Sequence, residues 1–416
     1  MGSGQPRNPL SFPAYRRLFL ARAVSSAGSY MQIVAATWYA YKLTGSAASV
    51  GLLSALALGP AIVGGPIGGA LADRYEPRRL AIVLYLLQGV PATIMAITDL
   101  MGDLPIGWLY VLVLAGAIPY SLNCPVVSLV GPYTVPEEYR PAALAQSSMM
   151  FNVTRLAGAV AGGFLVHLVG IGAAFAFNAL TYFLVAGVLA RTRLVSEVRR
   201  TREANAGTPK DSGALSVVKL AAVGVAVFFV FIAPVEQLMP IVAVEHGMKA
   251  SDVGVLIGAI GAGAIVANPI IARFGNSPAS RRRLMALGMF LAAPGMIELA
   301  ITPRHGIAVD LMGAFLIGFG WEFVFIAGQA TIATEIPDHI RGRMMGLFFV
   351  LVTATTALGA VGLGTLINRL GMVPTFATTA AVVAAAGLML LAAGSRSAAV
   401  PVGPSHEPGR PTYPGA

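Results

Sequence analysis

Twelve apolar runs divide the 416-residue chain, at 17–41, 48–72, 79–98, 106–129, 142–168, 171–190, 219–242, 251–274, 284–301, 307–333, 343–366 and 372–393. A helix needs about 20 apolar residues to cross a hydrocarbon layer of roughly 30 Å, and each run is close to that length. A water-soluble core has no room for so many. Only 11% of the residues are charged, against about 25% in soluble domains, and the mean hydropathy is +0.75. Lipid forces backbone polar groups to pair within the segment, which makes each run a helix. The expected fold is therefore an all-α membrane protein of twelve transmembrane helices. A soluble enzyme, a single-span receptor and an outer-membrane barrel, whose strands are short and alternating, are excluded. Pro91 and Pro294 interrupt the third and ninth runs; neighbouring helices can satisfy the carbonyls that a proline frees.

The net charge of +10 would suggest nucleic acid in a soluble chain, but here its distribution explains it. If the N-terminus is cytoplasmic, the inner segments hold Arg7, Arg16, Arg17, Arg74, Arg78, Arg79, Arg140, the Arg191 to Lys210 group, Arg273, Arg281, Arg282, Arg283, Arg341, Arg343, Arg396 and Arg410. The outer loops hold only Lys42, Lys249, Arg304 and Arg369. This is the positive-inside pattern, and an even number of spans returns the C-terminus to the cytoplasm. The expected organisation is a cytoplasmic N-terminus at 1–16, a six-helix bundle at 17–190, a cytoplasmic linker at 191–216, a second bundle at 217–393 and a disordered cytoplasmic tail at 394–416. The single cysteine, Cys124, rules out an internal disulfide and a cysteine metal cage.

The halves repeat each other. Val50-Gly51-Leu52-Leu53 matches Val253-Gly254-Val255-Leu256, Ala61-Ile62-Val63 matches Ala264-Ile265-Val266, Pro66-Ile67 matches Pro269-Ile270, and Val135-Pro136 through Arg140 echoes Ile336-Pro337 through Arg341. Matched segments have the same orientation, so the repeats are parallel about an axis along the membrane normal. That is the architecture of a transporter whose halves rock around a central site.

Gly69-Ala70-Leu71-Ala72-Asp73-Arg74-Tyr75-Glu76-Pro77-Arg78-Arg79 resembles the signature between helices two and three of the major facilitator superfamily, with Glu76 where glycine is common and Pro77 where arginine is common. Gly158-Ala159-Val160-Ala161-Gly162-Gly163 resembles the fifth-helix motif of antiporters without its proline. With Phe175 through Phe183 and Ile340 through Gly346, the pattern is similar to the transmembrane-secretion-effector branch, which includes enterobactin and macrolide exporters. The resemblance covers Ser11 to about Ala393. It implies the major facilitator fold, with two parallel six-helix repeats, and a cavity lined by helices one, four, seven and ten. With helices five and eleven flanking those four, Gln32, Asn152 and Trp321 are candidates to line the cavity, and Phe325 joins them because cavities for small amphipathic molecules are aromatic.

The signature can act as a cytoplasmic gate formed by Gly69, Asp73, Arg74, Arg78, Glu335, Asp338 and Arg341. Asp73 lies near the start of helix eleven, where a helix N-terminus favours a carboxylate. Arg74 and Arg78 can reach Glu335 or Asp338 in the other half by charge-assisted bonds, latching this side shut in the outward-facing state. The second half has Asn276 where the repeat places Asp73. The alternative is a topological determinant facing lipid headgroups.

A charge at bilayer depth costs about 2.5 to 3.5 kcal/mol even on insertion scales. Arg155 and Glu322 fall at mid-depth in helices five and ten, and Glu236 falls in helix seven between Pro234 and Pro240. Burial disfavours a charged carboxylate and a nearby arginine favours it, so Glu322 is the first candidate for proton coupling, with Arg155 as a possible partner. Glu236 is the second: bracketing prolines break the helix, and broken helices mark binding sites. It can instead bind a cationic substrate, and both carboxylates can equally be structural. Arg22 lies near the inner end of helix one, within snorkelling reach of the interface.

The expected function is secondary active transport, as a proton-coupled efflux antiporter for a small amphipathic compound. The alternatives are an importer of the same fold and a polytopic membrane enzyme. The five histidines lie far in sequence from the mid-depth carboxylates, and no phosphate-binding loop for ATP is present. Expected partners are a small-molecule substrate, protons and the lipid bilayer, with no cofactor, metal or nucleic acid. The expected setting is a monomer in the bacterial inner membrane.

Overall fold

A computed structural model describes residues 8–102, 104–192, 212–301, 307–336 and 338–397, apart from the side chains of 141, 145, 148, 152, 212–216, 338–343 and 393–397. Every regular element in it is helical. The first half holds α1 (Pro13–Thr44), α2 (Ala47–Leu58), α3 (Ala61–Arg74), α4 (Pro77–Leu100), α5 (Ile106–Val130), α6 (Arg140–Leu168) and α7 (Ile171–Arg191). The second holds α8 (Ser212–Phe231), α9 (Val235–Glu245), α10 (Ala250–Phe274), α11 (Pro278–Ile301), α12 (Ile307–Glu335), α13 (Asp338–Leu370) and α14 (Met372–Ser397). The expected linker and tail fall mostly on residues outside the described set.

Eleven of the expected twelve spans, counting α2 with α3 and α8 with α9 as one each, are long and apolar enough to cross a membrane. The exception is α1, which has the length, at 32 residues, but not the apolarity. Its polar residues point into the bundle: Thr154 Oγ1 donates to Ser26 Oγ at 2.9 Å, the Ser29 and Tyr182 hydroxyls are 3.0 Å apart, and Asn178 donates to Gln32 Oε1 at 2.7 Å. Low hydropathy here reflects polar contacts between helices.

Prolines do not break the chain where their placement in the runs suggests. Pro91 and Pro294 sit inside the continuous helices α4 and α11. The breaks come instead at Gly59-Pro60, between α2 and α3, and at Ile232–Pro234, where two backbone N–H groups share the Phe228 carbonyl. Glycine marks equivalent turns in the two halves. Gly45 ends the first span with φ of 62° and Gly247 ends the seventh with φ of 70°, a left-handed conformation that a Cβ disfavours.

The bundles meet along two seams, α6 with α10 and α2 with α13. Both seams lie at the end away from the N-terminus. Gly254 packs on the backbone of Ala159 and Gly163, and Gly51 on that of Ala360. Ala47 N–H donates to Asn368 Oδ1 at 2.8 Å, Asn368 Nδ2 donates to Ser46 Oγ at 2.8 Å, and Tyr41 donates to Glu245 at 3.4 Å. Hydrogen bonds join the bundles at this end and at mid-depth. Small residues permit this approach because backbone meets backbone where side chains would collide.

Candidate functional site

The break before α9 places Glu236 in the first turn of that helix, where the exposed N–H groups favour a carboxylate. Opposite it, mid-way along α6, Arg155 Nη2 donates to Glu236 Oε2. The ion pair bridges the two bundles, and its side chains are only 12% and 10% exposed. Arg155 also lies over the Trp321 ring, 4.7 Å from its centroid, a favourable placement of a cation on an aromatic face. Trp321 meets Phe229 edge-on at 5.1 Å. The Arg155 Nε is buried with no hydrogen-bond partner.

Glu322, the next residue on α12, is bonded elsewhere. It accepts from Asn268 Nδ2 on α10 at 3.1 Å, and the same amide nitrogen is 3.1 Å from the Ala264 carbonyl. Glu322 is within electrostatic range of Arg155, but the guanidinium is bonded to Glu236. The suggested Arg155 partnership with Glu322 is thus corrected to Glu236. A residue facing the α6 side of α12 and one facing α10 are adjacent in sequence but a turn step apart around the helix. Three candidates from three helices nonetheless share one neighbourhood.

Two unlike walls flank this centre. In the second bundle, Phe325 sits among Phe229, Phe348 and Phe349, with ring centroids at 6.1, 5.5 and 6.1 Å. In the first, tyrosines dominate. Tyr120 on α5 is 41% exposed and Cys124, one turn on, is also exposed. Yet Tyr120 lies within electrostatic range of Tyr30, Tyr85 and Tyr182 from three other helices. Exposure among neighbours on several sides marks the wall of an internal recess. Tyr30 is in range of Arg155, Glu236 and Cys124 together, so recess and ion pair are contiguous. The sequence reading missed this wall. Tyrosines usually sit at membrane interfaces, and their occurrence well inside runs, at 30, 85, 120 and 182, was the available signal.

The other cavity candidates divide. Trp321 and Phe325 are part of the aromatic wall. Gln32 is half-buried, and its amide oxygen accepts from Asn178 on α7. The Asn152 side chain lies outside the described residues.

At the N-terminal end, Asp73 and Arg74 are exposed, and nothing lies within 4 Å of where a Cβ on Gly69 would stand. The cross-half contacts expected of Arg78 and Glu335 are not made in this structure. Arg78 Nε and Nη2 donate to the Leu189 and Ala190 carbonyls at 2.8 and 2.6 Å. Glu335 instead pairs with Arg281 at 3.0 Å, and Arg281 also donates to the Ala330 carbonyl at 3.0 Å and to Thr334 Oγ1 at 2.6 Å. Each arginine therefore caps the C-terminus of a helix in its own half, where orphan carbonyls and the negative dipole end attract a cation. The side chains of Asp338 and Arg341 lie outside the described residues.

A sequence profile described as transmembrane secretion effector matches residues 5–407. Macrolide efflux protein A of Streptococcus pyogenes is 20% identical over 368 residues, covering 85% of this chain and 89% of its own. Enterobactin exporter EntS of Salmonella paratyphi A is 25% identical over 366 residues, covering 85% of each. The crystal structure of the nucleoside transporter NupG in a mutant form is similar in fold, with a TM-score of 0.72 at 11% identity, over 92% of this chain and 99% of that one.

Proposed function

The chain belongs to the transmembrane secretion effector family, and from that premise we propose that it is a proton-coupled efflux antiporter. Its cargo is a small amphipathic compound, and it works by alternating access in a bacterial inner membrane with both termini cytoplasmic. The observation that carries the reading is the Arg155–Glu236 pair, which joins the bundles at mid-depth beside a second buried carboxylate.

With the N-terminus cytoplasmic, the bundles are closed on the outer side and the recess loads from the cytoplasm. Two carboxylates of the second bundle, Glu236 and Glu322, compete for the Arg155 guanidinium. When Glu322 carries a proton, Arg155 is left to Glu236 and the link between bundles is at its strongest, which favours the inward-facing state. When Glu322 gives up its proton to the cytoplasm, its negative charge draws the same guanidinium away from Glu236 on α9 and shifts the bridge toward α12, which favours a different arrangement of the bundles. Such a shift is large in a site from which water is excluded. Substrate loading and proton release then favour the same outward swing. Glu322, bonded only to a neutral amide, is the carboxyl that takes and releases the proton.

In proteoliposomes, Glu322→Gln is expected to abolish accumulation driven by a pH gradient while leaving substrate exchange within about twofold of wild type, since exchange moves no net proton and an amide cannot carry one. Gradient-driven accumulation that persisted unchanged would remove the proton role of Glu322.

The gate forms in the other half of the cycle. The bare face of α3 at Gly69 is free for α13 to approach, and Asp73, Arg74 and Arg78 then meet Glu335, Asp338 and Arg341 across the closed cytoplasmic end. Asp73→Asn is expected to increase labelling of cytoplasmic reporter cysteines several-fold by depopulating the outward-facing state. Unchanged labelling would leave the signature as a topological determinant.

A further inference from the structure

Arg22 is an interior charge with no part in the ion pair or the gate. It stands about 13 Å along α1 from that helix's start at Pro13. It does not reach back to the interface as its position in the sequence suggests. Its guanidinium turns inward, within electrostatic range of Tyr85 on α4 and of Cys124 on α5. Its Nη1 lies beside Gly131, at the C-terminal end of α5, 3.2 Å from where a Cβ would stand. A phenol and a helix end offer it partial negative charge, and neither neutralises a full positive one. Among the described residues, no carboxylate lies within ion-pair distance of it. Glu236 is committed to Arg155. Beside Arg22, Cys124 is exposed, and so is Tyr120 one turn away on α5.

We propose that Arg22 is the anchor for an anionic group on the transported molecule, and that the preferred substrates are aromatic carboxylates or related aromatic oxyanions. This rests on the transporter reading and deepens it. A guanidinium presents a planar fork of donors that matches a carboxylate in two parallel bonds. The surrounding tyrosines add hydroxyl donors and ring faces for an aromatic body, and the phenylalanine wall receives its apolar side. An unpaired guanidinium is costly at membrane depth, and an arriving anion relieves that cost, so charge selects the cargo.

The test uses two probes of nearly equal shape, 2-naphthoate and 2-naphthamide, titrated calorimetrically at pH 7 into the full-length protein in lipid nanodiscs. The wild type is expected to bind naphthoate at least tenfold more tightly than naphthamide. Arg22→Gln is expected to lose that preference and Arg22→Lys to keep part of it. Because the two probes are compared on the same preparation, a variant with a reduced folded fraction still reports the ratio. Equal affinities, binding of neither probe, or a preference that survives in R22Q would overturn the proposal. None of those results touches proton coupling, which the Glu322 experiment reads separately.

Discussion

Arg155→Ala is expected to abolish transport and to destabilise the protein by about 3–5 kcal/mol, the usual cost of removing one member of a buried ion pair. The loss exceeds that of one hydrogen bond because Glu236 would remain, charged and 10% exposed, with no counter-charge. Trp321 would also lose the cation over its ring. Removing both charges, in Arg155→Met with Glu236→Leu, is expected to recover most of the stability, since apolar residues of similar volume replace buried pairs at little cost. Transport should stay absent in the double variant, because no guanidinium is left for Glu322 to draw away. Thermal unfolding in detergent and substrate flux in proteoliposomes separate the two effects. A double variant that transported at the wild-type rate would show that the pair is structural only.

Gly254→Val is expected to keep the end away from the N-terminus from closing. A Cβ at Gly254 would stand 2.5 Å from the Ala159 carbonyl and 3.1 Å from the Gly163 Cα. Backbone on both sides cannot rotate away as a side chain could, and overpacking of this kind costs about 1–3 kcal/mol. The cost falls only on states in which α6 and α10 touch, so the equilibrium moves toward forms open at that end. The readout is a cysteine at Ala360, in the opposite seam, after replacement of Cys124 by alanine. Ala360 is fully buried against Gly51. Labelling by an impermeant thiol reagent should rise at least tenfold in the Gly254→Val background, equivalent to about 1.4 kcal/mol, with transport falling by a similar factor. Protection of that cysteine as in the parent would mean that the α6–α10 seam does not control closure.

The residues that set the fold and those that set the site were not equally visible in the sequence. Hydrophobic runs report the length of each crossing, which is why eleven of the twelve expected runs return as helices long and apolar enough to cross a membrane. The residues that weaken the α1 signal, Ser26, Ser29 and Gln32, are those that bond to neighbouring helices. Arg155, Glu236 and Glu322 stood out because a charge in lipid needs a reason. Their pairing was not legible, since the bond from Arg155 goes to a helix 81 positions away in sequence. Gln32 shows the same limit: its place on α1 did not reveal that its amide oxygen accepts from Asn178 on α7.

The linear chain alone determined that lipid is the solvent, that the chain crosses it repeatedly as helices, that two similar halves are related by a repeat, and which few charges lie at depth. Those properties follow from composition and period, which each segment carries by itself. Only the tertiary structure decided which carboxylate holds Arg155, that Arg78 and Arg281 cap helices of their own halves, and that tyrosines from four helices wall a recess with Arg22 at its edge. The physical reason is rotational. A helix offers every residue the same backbone bonds at any rotation about its axis, so the direction a side chain faces is fixed by the packing of its neighbours.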